Sequence, residues 1–351
     1  MRVLVATDAW HPQVNGVVRT LEALARSARD LGVDIQFLSP QGFRSMPMPT
    51  YPSLRLALPS ARAIAARIQE IEPDSIHIAT EGPIGLMTRA YCRKRGLRFT
   101  TSYTTRFPEY ISARFAIPES WSYAALRRFH AAASLTMVST PSLAADLSQR
   151  GFSNLAMWGR GVDTDAFTPE APAELGLPRP IFLCHGRVAI EKNLEAFLSL
   201  DLPGSKVVVG EGPQEAELRT RFPSVHFLGL KVGKELASYI AMADVFVFPS
   251  LTDTFGIVQL EALACGVPVA AYPVTGPRDV IAGRPVGALD QDLRQACLNA
   301  LGLSRQACRE VALSFSWENS ARQFIENLRP FLPGHRPASV PLPAAMATAE
   351  R

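Results

Sequence analysis

Two carboxylates, Asp253 and Glu261, lie eight positions apart in the segment SLTDTFGIVQLEALACG, residues 250–266. A Phe-Gly pair lies between them, and apolar residues at helical spacing follow. The free N–H groups at a helix N-terminus bind phosphate. A carboxylate on the helix can accept two ribose hydroxyls, and a carboxylate in the preceding loop can accept hexose hydroxyls. The segment therefore predicts a site in which the two acids bracket a nucleotide sugar.

A second set of candidate residues is cationic. Arg187 directly follows the predicted strand PIFLCHG, and Lys192 directly precedes a predicted helix. Two fixed cations five positions apart suit a diphosphate, whose negative charge is spread over several oxygens. Taken alone, the segment is equally compatible with two solvated surface cations.

A third segment, TDAWHPQVNGVV, places Asn15 and Gly16 where a helix begins. Backbone N–H groups there would face an anion, and glycine permits close approach. Taken alone, such a helix start is more often structural. The chain contains no GxGxxG segment, because Glu215 occupies the last position of GEGPQE. This argues against a dinucleotide-binding dehydrogenase.

The elements that must position these loops alternate between strand and helix in both halves of the chain. Short β-rich runs in the first half, such as RVLVAT, DSIHIA and SLTMVST, are separated by helical patterns. The alternation restarts near Pro180 with PIFLCHG, KVVVG, VHFLG, DVFVFPS and VPVAAY. The pattern predicts an α/β protein with two doubly wound, Rossmann-like domains that face each other across a cleft. Ligands bind outside the carboxyl ends of such strands.

Length and charge agree with two domains. At 351 residues, of which 47% are hydrophobic and 19% charged, the chain has room for two globular domains. Residues 1–160 carry 19 Lys and Arg against 11 Asp and Glu, whereas residues 161–351 carry 17 against 21. The basic first half predicts an anionic partner there, such as a phosphate group, a nucleic acid or a membrane surface.

We expect an N-terminal acceptor-side domain over residues 1–165 and a C-terminal domain for the nucleotide-sugar donor over residues 166–316. A last helix over residues 317–332 is expected to cross back to the N-terminal domain. The end of the chain, residues 333–351, is rich in Pro and Ala and is expected to be disordered.

Other segments bear on location and chemistry. The first apolar run is too short for a signal peptide, and no window offers about 18 uncharged apolar residues. The five cysteines are scattered without a CxxC pair, which indicates buried thiols in a reducing cytoplasm. No spacing typical of metal ligands occurs. We therefore expect a cytoplasmic protein that uses neither a metal nor another cofactor.

Several motifs occur in an order that resembles a known family. The order is GRxxxEK, then GEGP, then D/E-x-F-G-x-x-x-x-E, then GxP. It resembles the retaining glycosyltransferases of family 4, which have the GT-B fold, and the resemblance covers roughly residues 1–330. The segments TDAWHPQVNGVVRTL, HIATEGPIG, RFPEY, SLTDTFG and AAYPVTGPRDVI look like the branch of bacterial α-mannosyltransferases and glycolipid-forming glycosyltransferases.

The resemblance implies roles for individual residues. Arg187 and Lys192 would bind the donor diphosphate, and Asp253 and Glu261 would be the two acids of the EX7E motif, with Asp in place of the commoner first Glu. The family needs no metal, because protein cations and helix N-termini neutralise the leaving diphosphate. The full set of implied donor-binding residues is Gly16, Arg187, Lys192, Gly210, Glu211, Gly212, Asp253, Thr254, Phe255, Gly256, Ile257, Val258 and Glu261.

One departure from the family concerns the loop after the fourth predicted strand, where relatives usually carry a His. This chain reads TSYTTRFPEY, with Thr104 at that position. Threonine can form hydrogen bonds but cannot act as an acid or base near neutral pH. A retaining enzyme whose departing phosphate takes the acceptor proton does not need a base. We keep Thr104 with Asp253, Arg187 and Lys192 as candidate catalytic residues. Weaker candidates for acceptor contacts are Trp10, His11, Glu81 and Arg106, the last two of which could equally form local salt bridges.

The segment TRFPEYISARFAIPESWSYAALRRFHAAA interleaves basic and aromatic residues in the basic half. Such a mixture is typical of a membrane interface, where Arg meets lipid phosphates and aromatic rings lie at headgroup depth. Equally, the aromatic residues could pack into the helix's own core. We expect peripheral contact with the cytoplasmic face of the inner membrane.

The leading hypothesis is a retaining transfer of glucose, glucuronate or mannose from a nucleotide-diphosphate sugar to a lipid such as diacylglycerol or a glycolipid. A growing polysaccharide is a second possible acceptor. A non-hydrolysing sugar-nucleotide epimerase shares the fold, but it would need further acid-base pairs in the cleft, and few are present. A nucleic-acid partner is not expected, since no recognition motif occurs. The sequence leaves the oligomeric state open.

Overall fold

The computed structural model describes residues 1–12, 15–48, 51–114 and 117–329. The described residues end at Arg329. The tail predicted to be disordered, residues 333–351, therefore lies outside them, as do residues 330–332. Within the described part, strands and helices alternate along both halves of the chain.

The first half builds one parallel sheet. Its strand order is β2-β1-β5-β6-β7-β8, and a separate antiparallel hairpin, β3-β4, is inserted after β2. The strands are β1 (Arg2–Ala6), β2 (Asp34–Leu38), β3 (Ser45–Met48), β4 (Tyr51–Ala57), β5 (Ser75–Ile78), β6 (Thr100–Ser102), β7 (Leu135–Val138) and β8 (Leu155–Met157). The helices are α1 (Gly16–Asp30), α2 (Ala61–Ile71), α3 (Pro83–Arg95), α4 (Phe107–Arg114), α5 (Glu119–His130) and α6 (Pro141–Gln149).

The second half builds another parallel sheet, with order β11-β10-β9-β12-β13-β14. Its strands are β9 (Ile181–His185), β10 (Ser205–Val209), β11 (His226–Phe227), β12 (Val245–Phe248), β13 (Val269–Ala271) and β14 (Gly287–Leu289). Its helices are α7 (Leu194–Leu198), α8 (Glu215–Arg221), α9 (Gly233–Ala241), α10 (Ile257–Ala264), α11 (Pro277–Ile281), α12 (Leu293–Ala300), α13 (Arg305–Leu313) and α14 (Trp317–Leu328).

Local sequence explains why these elements form. In α1, the side chain of Asn15 accepts the N–H groups of Val17 and Val18, while a buried stripe of Val18, Leu21 and Leu24 faces the sheet. All residues of β9 and β12 are buried, because helices cover both faces of the second sheet. The alternation predicted from sequence is confirmed as two Rossmann-like sheets, whereas the β3-β4 hairpin was not predicted.

The last helix, α14, packs on the first sheet although it follows the second sheet in sequence. Phe324 and Leu328 are fully buried among Val3, Val5 and Leu21. A polar contact also joins α14 to the first domain, since the Trp158 indole donates to Ser320 Oγ at 3.1 Å. The chain therefore crosses between the two sheets twice, before β9 and before α14.

The segment that makes the first crossing lies very close to α14. A Cβ atom placed on Gly161 would lie 2.4 Å from the backbone nitrogen of Trp317, so only glycine fits there without a backbone shift. The Gly159 N–H donates to Gln323 Oε1 at 2.6 Å. Both crossings are thus joined at one place.

Two further observations concern the length of the helices and the state of the cysteines. Among the described residues, no helix is long and apolar enough to cross a bilayer. The cysteines, predicted to be buried thiols, are buried and free: Cys92, Cys184, Cys265, Cys297 and Cys308.

The packing of α14 predicts the effect of truncating its central aromatic residue. Phe324→Ala should lower the unfolding free energy by about 3–5 kcal/mol, the usual cost of deleting a buried aromatic ring. Guanidinium unfolding followed by tryptophan fluorescence measures this. Glu326→Ala, an exposed change on the same helix, should have an effect within about 0.5 kcal/mol. Equal stability of the two variants would show that α14 is not part of the first core.

Candidate functional site

The carboxyl ends of the two sheets face each other, and loops from both sides are in contact. The hydroxyl of Thr254, after β12, donates to the carbonyl of Thr104, after β6, at 2.8 Å. Ser139, after β7, donates through Oγ to the carbonyl of Thr254 at 3.0 Å. The structure thus brings together Thr104 and Thr254, two residues predicted from sequence to share one site.

Asp253 and Lys192 form an ion pair within the second domain. Nζ of Lys192 lies 2.7 Å from Oδ1 and 2.8 Å from Oδ2 of Asp253. Both side chains lie largely out of solvent. Hydrogen bonds from side chains to backbone carbonyls hold the two loops together, since Asn193 Nδ2 donates to the carbonyl of Pro249 and Ser250 Oγ to that of Glu191. The predicted diphosphate cation and the predicted acid are therefore direct neighbours.

The environment of Lys192 keeps it charged. Burial lowers the pKa of the amine, but Asp253 and then Tyr110 raise it, and the net pKa is above the ordinary lysine value. Tyr110 belongs to α4 of the first domain, and burial raises its own pKa to about 12. A fixed positive charge at this position suits an anionic ligand.

Glu261 is almost fully buried and is contacted by cations or potential cations from both domains. Nη1 of Arg19, on α1, donates to its Oε1 at 3.0 Å. Nε2 of His185, the last residue of β9, lies 2.7 Å from its Oε2, although the angles are not those of a hydrogen bond. Burial raises the pKa of Glu261, but His185 and then Arg19 more than offset this, and the net pKa is below the ordinary value. Glu261 is therefore ionised near neutral pH.

The loops after β9 and β10 are joined through their backbones. The Val188 N–H donates to the carbonyl of Glu211 at 2.9 Å. A Cβ on Gly210 would lie 1.9 Å from the Gly186 carbonyl oxygen, and one on Gly212 would lie 2.3 Å from that of Val188. Both glycines are required for this close approach. The same contact brings the GEGP turn beside Arg187, which is the second residue after β9.

Other predicted donor residues have partners within the protein. One carboxylate oxygen of Glu211 accepts the Leu230 N–H at 3.3 Å. Phe255 is buried, and its carbonyl accepts the side chain of Gln259 at 2.6 Å.

The turn into α10 depends on Gly256, which has φ of 78° as the residue before the helix. Ile257 and Val258 begin α10 and are partly exposed. Gly16 is the first residue of α1, where the side chain of Asn15 already caps the N–H groups of Val17 and Val18.

Three of the four predicted acceptor residues are engaged elsewhere. Trp10 packs on Phe37 with ring centroids 4.3 Å apart, and His11 lies 2.6 Å from Oε1 of Glu22. The guanidinium of Arg106 donates to Glu109, to Asp146 and, across the cleft, to Thr275, at 2.9, 2.9 and 3.1 Å.

The structure therefore gives Arg106 the salt bridges that the sequence left open. The remaining acceptor candidate, Glu81, lies at the cleft beside His130.

A further contact joins the domains at the N-terminus of α6. Asp279, on α11, accepts the backbone N–H of Ser142 at 3.0 Å and also its hydroxyl. A carboxylate beside the first turn of a helix is favourable, because it satisfies N–H groups that have no partner within the helix. The domains therefore meet through paired polar groups.

Sequence reasoning missed Arg19, His185 and Asp279 as parts of this arrangement. His185 directly precedes Gly186-Arg187 at a strand end, and this position could have identified it. Arg19 carries no local signal, since its partner is 242 residues away. Within the described ranges, no group of three or more His, Cys, Asp and Glu side chains is arranged to hold a metal ion.

Comparison with known proteins identifies two matching family models. Residues 14–166 match the model described as Glycosyltransferase Family 4, and residues 179–301 match that described as Glycosyl transferases group 1. A GDP-mannose-dependent alpha-mannosyltransferase of Mycobacterium tuberculosis is 30% identical over 90% of this chain and 93% of its own length. The sulfoquinovosyl transferase SQD2 of Arabidopsis thaliana is 33% identical over 68% of this chain and 50% of its own length.

Solved structures share the architecture at lower sequence identity. A sucrose-phosphate synthase from Thermosynechococcus elongatus aligns with a TM-score of 0.75 and 20% identity, covering 93% of this chain and 98% of that one. The Anabaena protein HepE, in complex with UDP and glucose, aligns with a TM-score of 0.69 and 15% identity, covering 93% and 99%. These alignments confirm the predicted GT-B fold.

The pair of Arg19 and Glu261 predicts a pH-dependent change in stability. A carboxyl group whose pKa is lowered in the folded protein stabilises it above the ordinary carboxyl pKa, and that stabilisation is lost as pH falls through the folded pKa. Arg19→Ala should therefore cost about 3 kcal/mol near pH 7, because it removes one partner of a buried carboxylate, and its difference from wild type should shrink as the pH falls through the carboxyl range.

Urea unfolding at a series of pH values measures this difference. Arg26→Ala, an exposed change on the same helix, is the control and should give a difference that does not vary with pH. A constant difference for Arg19→Ala would contradict the assigned role.

Proposed function

The chain belongs to glycosyltransferase family 4, and on that premise we propose that it is a retaining enzyme that transfers a hexose to a hydroxyl group of a membrane lipid. The donor is a nucleotide-diphosphate sugar, with glucose, glucuronate or mannose as the hexose. The acceptor is diacylglycerol or a glycolipid. The enzyme acts at the cytoplasmic face of the membrane and uses no metal or other cofactor.

The observation that carries the proposal is the ion pair of Lys192 and Asp253. It combines, just before α10, a cation that suits a diphosphate with a carboxylate that suits hexose hydroxyls. Glu261 lies in the second turn of α10 as an ionised carboxylate, suited to ribose hydroxyls. Arg187 follows the neighbouring strand and adds a second cation for the diphosphate.

These residues suggest how the reaction proceeds. The bond between the anomeric carbon and the diphosphate oxygen breaks, while the acceptor oxygen bonds to the same face of that carbon. The acceptor proton passes to an oxygen of the departing diphosphate. Lys192 and Arg187 stabilise the leaving charge, and Asp253 orients the hexose. Because the leaving group takes the proton, Thr104 is not required to act as a base.

Relatives support the choice of substrates. The M. tuberculosis relative is described as GDP-mannose-dependent, and SQD2 as a sulfoquinovosyl transferase. Solved structures of the same fold contain UDP or UDP-glucose. A nucleotide sugar is therefore the donor class, and a screen of GDP-mannose, UDP-glucose and UDP-glucuronate by thermal shift would identify the sugar.

A surface on the first domain supports membrane contact. Trp121 is 72% exposed, and Ile117 and Phe107 are also exposed apolar residues. Arg127 and Arg128 project from the same helix as Trp121. Not every residue of the predicted interface contributes to this surface: Tyr123 is buried and donates to Glu109, Tyr110 lies near Lys192, and Arg106 is paired. The side chains of Arg114 and Phe115 lie outside the described residues.

Replacement of Lys192 tests the donor site. Lys192→Ala should lower turnover about 100-fold or more, because it removes a charge that stabilises the leaving diphosphate, while the melting temperature changes by only a few degrees. Steady-state release of the nucleotide diphosphate measures this. Lys234→Ala, an exposed lysine of the same domain, should retain wild-type turnover. Near-wild-type activity of Lys192→Ala would contradict the donor-site assignment.

Vesicle binding tests the membrane surface. The wild-type protein should co-sediment with vesicles that contain anionic lipid, and Arg128→Ala should weaken this about fivefold, in line with the contribution of one basic residue. Trp121→Ala should weaken binding to the same vesicles. Arg322→Ala, an exposed change on α14, serves as the control. Absence of wild-type sedimentation would argue for a soluble acceptor, such as a growing polysaccharide.

A further inference from the structure

The carboxylate that suits the donor ribose is already covered by side chains of the protein. The side chain of Glu261 is only 5% exposed. Its Oε1 accepts Nη1 of Arg19 at 3.0 Å, and its buried Oε2 lies 2.7 Å from Nε2 of His185. A ribose that presents two hydroxyls to this carboxylate needs access to the same two oxygens. In this arrangement, the burial leaves no such access.

The two neighbours of Glu261 differ in how firmly they are held. His185 is buried at the end of β9, and its ring packs on that of Phe246 with centroids 5.7 Å apart. Arg19 belongs to α1 of the other domain, its side chain is 33% exposed, and among the described residues Glu261 is its one ion-pair partner. A buried ring cannot leave without disturbing the core, whereas a long, partly exposed side chain can. Arg19 is therefore the group that a ribose would displace.

Other groups of the donor site are paired with one another in the same closed arrangement. Lys192 holds Asp253 at 2.7 Å, and the next residue, Thr254, donates to the carbonyl of Thr104 in the first domain at 2.8 Å. The cation that suits the diphosphate thus has a carboxylate as its partner, and the carboxylate that suits the ribose has a cation. The protein's own groups occupy the positions at which the donor would bind.

We infer that the pair of Arg19 and Glu261 is an autoinhibitory contact, in which Arg19 competes with the ribose of the donor for Glu261. This inference rests on the proposed function and adds a regulation of its donor site. The donor binds only to those molecules in which Arg19 has left the carboxylate. Its apparent affinity is reduced by the fraction of such molecules, so donor binding and the Arg19 contact oppose each other.

The exchange of Arg19 for ribose is balanced in charge and hydrogen bonds. The guanidinium returns to water, while His185 stays beside Oε2 of Glu261 and ribose hydroxyls replace the donor that Oε1 loses. A buried carboxylate that lost its cation and gained nothing would be costly. Arg19 therefore stays in place until hydroxyl donors arrive, which keeps the fraction of donor-ready molecules small.

Binding of nucleoside diphosphates to the full chain tests the competition. UDP and GDP are titrated by calorimetry into wild type, Arg19→Met and Arg19→Lys. Arg19→Met keeps an apolar stem but removes the charge, and it should lower the Kd of the nucleotide that binds by about fivefold or more, the lower end of typical coupling between sites. Arg19→Lys keeps the charge and should give an intermediate Kd. Inorganic diphosphate, which has no ribose, should bind wild type and Arg19→Met with equal Kd.

Two further variants separate this contact from general opening of the cleft and from loss of stability. Thr275→Val removes the hydrogen bond that Arg106 makes across the cleft without touching Glu261, and it should leave the Kd within about twofold of wild type. In a Glu261→Gln background, Arg19→Met should no longer tighten nucleotide binding, because the carboxylate for which Arg19 competes has lost its charge. A general effect of destabilisation would persist in that background.

The outcomes separate the two proposals. Unchanged or weaker nucleotide binding by Arg19→Met overturns the competition and leaves the proposed function intact. The same holds for an equal gain in Thr275→Val or with inorganic diphosphate, and for a gain that persists beside Glu261→Gln. If neither UDP nor GDP binds wild type or Arg19→Met at millimolar concentration, the nucleotide-sugar donor of the proposed function is overturned, and the competition with it.

Discussion

The arrangement of the cleft depends on one buried carboxylate, Glu261. An ionised carboxylate out of water is expensive unless positive charge or hydrogen-bond donors compensate it, and here the groups beside it come from two domains. His185 belongs to the second sheet, whereas Arg19 reaches over from the first. The orientation of the two domains is thus linked to the compensation of the negative charge on Glu261.

The first domain uses its polar groups unevenly. The guanidinium of Arg106 donates to Glu109 and Asp146 within the first domain and to Thr275 of the second. Its hydrogen bonds therefore join parts of the protein to one another. Glu81, which follows the neighbouring strand β5, has one carboxylate oxygen without a hydrogen-bond partner among the described residues. The contrast separates a side chain whose polar atoms are used in contacts within the protein from one whose second carboxylate oxygen is not.

Local pattern was sufficient for the fold and for part of the site. Apolar runs of four or five residues predicted the parallel strands, and parallel strands put their following loops at one edge, so Lys192 and Asp253 were expected in one donor site. Their direct ion pair was not predicted. The pairing of Arg19 with Glu261 was not predictable in this way, because it depends on how two separate domains are set against each other. Nor could a pattern show that His130 lies behind Glu81, since helix α5 and the loop after β5 meet only through tertiary packing.

The double crossing of the chain has an evolutionary consequence. Because α14 completes the core of the first sheet, that unit is discontinuous in sequence, and everything between the linker and α14 is in effect an insertion within it. A recombination event with a single breakpoint would separate the first sheet from its last helix. Exchange of the second sheet between relatives therefore requires replacement of an internal segment with two junctions, both beside the contact of Gly161 with Trp317.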